Sequence, residues 1–180
     1  MNLGIINIGN GMGFFDFFSN EDSQEVQSYN ELYKKISNKY PGSPEQDLVL
    51  SSCIAGLLAR VAYIDFDLHE NEKLEIQKII GKWNFHEELN SEVVANIAIE
   101  HIQEMAGLDN HLFYGPLKKY MTKEHRFEVL KSLFLVAASD GSVDGVESEE
   151  IRGICKGLEL SSQHFLAARA EVVDYLKALK

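Results

Sequence analysis

Two cysteines, three prolines and one tryptophan in 180 residues exclude several classes of protein at once. Cys53 and Cys155 cannot build a disulfide framework and form no Cys-x-x-Cys pair. Each sits among apolar neighbours, so both read as buried core thiols of a reducing compartment. With proline confined to Pro41, Pro44 and Pro116, long helices run uninterrupted. No apolar run approaches the ~20 residues of a transmembrane helix. The first cation is Lys34, so the start lacks the basic region of a signal peptide, and the cytoplasm is the expected location. Basic residues are scarce: 17 Lys and Arg face 28 Asp and Glu, a formal net charge of −11. A surface of that sign repels phosphate backbones, which argues against nucleic acid, and it attracts divalent cations or basic protein surfaces.

What is present is enough apolar material, 45% of the chain, for the core of one domain. The first twenty residues stand apart. Gly4, Gly9, Gly11 and Gly13 punctuate an apolar stretch that ends in Phe14-Phe15-Asp16-Phe17-Phe18. Ile5 to Gly11 looks like a strand entering a dinucleotide-binding turn, but Phe14 stands where a small residue is needed and no second strand follows. The phenylalanines lack the basic companions that hold anionic lipid, so packing of a short N-terminal helix onto the body is the expectation. Residues 1–42 are read as this Phe/Gly-rich segment plus a helix, and 43–180 as the main helical domain.

From Ser23 onward the apolar spacing is helical. Val26, Tyr29, Leu32, Tyr33, Ile36 and Tyr40 mark a first helix stopped by Pro41-Gly42, and Ser43-Pro44-Glu45 reads as cap, first-turn proline and acidic turn of the next. Further helices are expected over about 71–83, 87–106, 123–138, 146–158 and 162–178. Asn110–Tyr120 reads as a single turn followed by Gly115-Pro116. The fold class is all-α: one helical bundle of about seven helices.

An internal repeat organises it. Shifted by 75 residues, segment 58–80 aligns with 133–155 at eight identities in 23, against about one or two expected by chance. The identities include Asp65/Asp140, Glu72/Glu147, Ile76/Ile151 and Ile79/Ile154. Each copy is a helix, an acidic loop and a second helix, and two copies can pair about a pseudo-twofold axis. Helix capping accounts for part of the acidity: Asp144-x-x-Glu147 has capping-box spacing, and His69-x-x-Glu72 occupies the same offset. Asp65 and Asp140 lie four residues before the cap, where capping does not explain them. Asp140-Gly141-Ser142-Val143-Asp144-Gly145 resembles the opening of an EF-hand loop, but its twelfth position is Ile151, and Ile76 in the other copy, so a true EF-hand is excluded. A different site drawing on Asp65, Glu72, Asp140, Asp144 and Glu147 would favour a hard divalent cation, Ca²⁺ or Mg²⁺. The alternative is caps and a charged surface alone.

The phrases Val136-Ala137-Ala138-Ser139-Asp140-Gly141 and Ala62-Tyr63-Ile64-Asp65, followed by Ile151 to Leu158, resemble the duplicated motif of the TerB (tellurite-resistance protein B) family. In the first motif Phe66 stands where that family has glycine. The resemblance covers about residues 45–170 and implies an all-helical bundle, an acidic patch suspected of binding metal ions, a stress or tellurite-resistance context, and no known catalytic activity. The partner expected for such a patch is a protein with a basic or membrane-associated surface. Independently, His86, His101, His111, His125 and His164 form no His-x-x-x-His pair, and neither a G-x-S-x-G elbow nor a P-loop occurs. The alternative function, a metal-assisted enzyme on the same carboxylates, needs a base beside the acids, and only His69 qualifies.

Overall fold

The structure is a computed structural model that describes residues 24–83, 85–104 and 110–178. The glycine-punctuated start and Phe14–Phe18, with the packing expected of them, lie outside the described residues. Among the described residues eight helices carry the fold: α1 (Gln24–Lys39), α2 (Glu45–Ala62), α3 (Glu70–Trp83), α4 (Ser91–Glu104), α5 (His111–Tyr120), α6 (Lys123–Ala137), α7 (Gly145–Gly157) and α8 (Ser162–Ala178). No strand occurs among the described residues.

α2 is the axis. Its composition is apolar almost all round, as a helix surrounded by others requires, and 14 of its 18 residues are buried. It packs against α1, α3, α4, α5, α6 and α7. The two polar side chains in its middle turn inward on their own helix: the Ser51 and Ser52 hydroxyls donate to the Leu48 carbonyl at 3.0 and 2.6 Å. α1 covers one flank through Leu32, Tyr33 and Ile36, and α6 and α8 close the other, with Phe134 meeting Phe165 edge-on at 5.2 Å. Ile76, Ile79, Ile151 and Ile154, the apolar anchors of the repeat, are all buried, as are Cys53, Cys155 and Trp83.

Three local expectations are corrected. Asn110–Tyr120 is not a lone turn but helix α5 with Pro116 inside it. An interior proline costs about 3 kcal/mol, and burial of Leu112, Phe113, Tyr114, Pro116 and Leu117 offsets it. Ser43 does not cap α2: Pro44 takes the cap position without a side-chain hydrogen bond, and the Ser43 hydroxyl is buried. α4 starts at Ser91 rather than 87, because Asn90 Oδ1 accepts from the Val93 N–H at 3.0 Å and fixes the first turn there.

Candidate functional site: the paired acidic loops

The two acidic loops, between α2 and α3 and between α6 and α7, repeat one hydrogen-bond pattern, to which the second adds a capping bond. Each helix ends with a bond from the cap N–H to the fourth residue back, Tyr63 to Ala59 at 3.0 Å and Ala138 to Phe134 at 2.9 Å. The chain then tightens: Ile64 N–H bonds Val61 C=O and Phe66 N–H bonds Tyr63 C=O, mirrored by Ser139 to Val136 and Gly141 to Ala138. Next comes a turn closed by the aspartate. Asp65 Oδ1 accepts from Asp67 N–H, and Asp140 Oδ1 from Ser142 N–H, both at 3.0 Å. These Asx turns account for the two aspartates that capping leaves over. Finally Glu72 Oε2 accepts from His69 N–H and Glu147 Oε2 from Asp144 N–H, both at 2.8 Å. The second copy completes the capping box, since Asp144 Oδ1 also accepts from Glu147 N–H at 2.8 Å.

The departure at Phe66 does not alter the turn. Phe66 takes φ +67° where Gly141 takes +106°. A large residue is thus held in left-handed backbone that glycine enters freely.

The loops share one neighbourhood. Asp65 and Asp140 both raise the pKa of Glu72 by repulsion, and Glu72, Asp140 and Asp144 act likewise on Glu147. Burial is the larger cause in both cases, and each carboxyl is pushed up to about 7 although the hydrogen bond from the cap N–H pulls it down. Glu72 is 4% exposed. Asp65, Asp140 and Asp144 lie at the surface. Among the described residues no lysine or arginine pairs with any of these five acids. Three neighbouring glutamates are committed elsewhere: Glu75 to Lys78, Glu149 to Arg152, and Glu150 to Arg60 at 3.2 Å, with Asn110 Nδ2 also donating to Glu150.

The structure therefore brings Asp65, Glu72, Asp140, Asp144 and Glu147 to one face. Among the described residues, however, no three His, Cys, Asp or Glu side chains are gathered tightly enough to form a ready ligand set. A bound ion would have to draw the outer carboxylates inward. What sequence reasoning missed is that Glu72 is buried and Glu147 half-buried, for which a carboxylate at equal offset in both copies was the available signal. A separate groove of about 570 Å³ runs between α3, α6 and α8, lined by Ile79, Trp83, Leu135 and Val172 among others, and includes none of these five acids. No helix among the described residues is long and apolar enough to cross a membrane.

No curated protein and no solved structure gives a significant match to the chain. The family described as Tellurite resistance protein TerB matches residues 51–170, from α2 through both acidic loops into α8. The chain belongs to the TerB family.

Proposed function

We propose that the protein is a non-catalytic interaction domain of a stress or tellurite-resistance context, whose paired acidic loops take a divalent cation, Ca²⁺ or Mg²⁺, and face a basic protein surface. One observation carries this reading. A buried glutamate, a half-buried one and three surface aspartates crowd together, and among the described residues no lysine or arginine pairs with them. Such crowding is unfavourable, and an ion of charge +2 removes it. The free oxygens are of the hard kind that Ca²⁺ and Mg²⁺ prefer. Support for a non-catalytic role is that, among the described residues, His69 is the one candidate base beside the acids.

Thermal melts at pH 8 with each of Ca²⁺, Mg²⁺, Mn²⁺ and Zn²⁺, against a control of matched ionic strength, test it. At an ion concentration of about 100 times the dissociation constant the native state gains about 2.7 kcal/mol. Asp140→Asn keeps the Oδ1 that closes the turn and removes the charge, so it should abolish most of the shift without lowering the ion-free melt. His69→Ala should matter only if Zn²⁺ or Mn²⁺ is the ion. Melting unchanged by every ion would leave the loops as caps and a charged surface.

A further inference from the structure

The two loops match in backbone but differ in what they display. Tyr63, Ile64, Phe66 and Leu68 of the first stand opposite Ala138, Ser139, Gly141 and Val143 of the second. Phe66 is 65% exposed, the most exposed large apolar side chain of the described residues, and Tyr63 supports its ring edge-on at 5.6 Å. Burial does not explain its presence, and the backbone there disfavours it, since the second copy makes the same turn with glycine. Asp65 and Asp67 flank it and Glu70 follows, all exposed.

We infer that Phe66 is the apolar anchor of a docking surface on the acidic face, and that its occupant is a basic amphipathic segment of another protein. An exposed aromatic ring, held edge-on by Tyr63, offers large contact area with few rotamers to lose, the property of residues that dominate interface energetics. The carboxylates on either side select the partner: an apolar pocket or helix stripe bordered by lysine or arginine satisfies ring and charge together. A second copy of this chain, with the same negative charge, does not. The inference rests on reading the acidic loops as an interaction face, and adds the side chain that gives that face its specificity.

The full chain, labelled for fluorescence anisotropy, is titrated with a helical peptide carrying leucine on one face and lysine on the other. The control peptide has the same lysines and alanine for leucine. Phe66→Gly and Phe66→Asn both accept the left-handed turn, so both should melt close to wild type and keep its helical circular dichroism. Both should bind the leucine peptide at least about tenfold more weakly, while the control peptide binds all three proteins alike. Salt-sensitive binding that is equal in all three proteins would overturn the anchor and leave the acidic face standing. Binding of neither peptide would sink both. Phe66-dependent binding to zwitterionic vesicles, with none to the peptide, would transfer the site to a membrane and overturn the protein partner.

Discussion

Phe66 and Gly141 occupy one backbone position in two copies, so they measure the same turn with and without a side chain. At Gly141 an added Cβ would meet nothing within 4 Å, and φ is +106°. Gly141→Ala should therefore destabilise through conformation alone, by about 1–2 kcal/mol in denaturant unfolding. At Phe66 three effects oppose one another in Phe66→Gly: relief of the left-handed backbone, loss of the Tyr63 contact, and greater freedom of the unfolded chain. Relief of the backbone stabilises by about 1–2 kcal/mol and the other two cost about 0.5–1 kcal/mol each, so the sum should lie near zero. Equal costs at the two positions would mean that the turns are not equivalent. Asp-Gly at 140–141 announces its turn, because glycine is the residue such backbone favours. Ile64-Asp65-Phe66 announces nothing, because phenylalanine disfavours it, and only alignment to the second copy reveals it. The aspartates were legible as residues that capping did not explain, while their Asx turns needed coordinates.

Helices with strong periodicity were legible from sequence alone, and α5 was not. Its Gly115-Pro116 reads as a break by local rules, and tertiary packing overrides them. The decisive contacts are long-range: a Cβ on Gly56 would lie 2.7 Å from the Phe113 ring, and one on Gly157 only 2.1 Å from the Tyr114 ring. α5 is thus seated against α2 and α7 at two places where no side chain intervenes. Gly157→Ala should cost about 1–3 kcal/mol by overpacking. Adding Tyr114→Leu, which removes the ring atoms in the way, should recover part of that loss, and a strictly additive double mutant would refute the contact. The Arg60–Glu150 pair ties α2 to α7 in the same region, with both side chains less than one-fifth exposed. Glu150→Ala would strand the guanidinium and should lower stability by about 2 kcal/mol in urea unfolding.

At the scale of the molecule, the repeat carried most of what sequence could say: the all-helical class, the buried isoleucines and the meeting of two acidic loops. It could not say how deeply the glutamates sink, since that depends on how the two copies pack together. Their depth has a consequence for pH. Glu72 and Glu147 titrate at about 7 in the folded protein, against 4.5 ordinarily. Between those values the native state holds protons that the unfolded chain has released, so stability falls as pH rises through the window and levels off above it. The melting temperature should accordingly be higher at pH 5.5 than at pH 8. The exposed Glu104, Glu124 and Glu159, whose pKa values are lowered, work in the opposite sense, costing stability as pH drops through the acid range. Glu72→Gln retains an oxygen for the His69 N–H and carries no charge, so it should raise stability at pH 8 by about 1–2 kcal/mol and change little at pH 5. Glu147→Gln should act in the same direction and more weakly, being less buried. If a divalent ion binds, it displaces those protons: adding Ca²⁺ at pH 6.5 to weakly buffered protein should acidify the solution, and at pH 8.5 should not. A melting temperature flat from pH 5.5 to 8, together with no proton release at pH 6.5, would show that the two glutamates titrate as ordinary surface acids and that no ion relieves them.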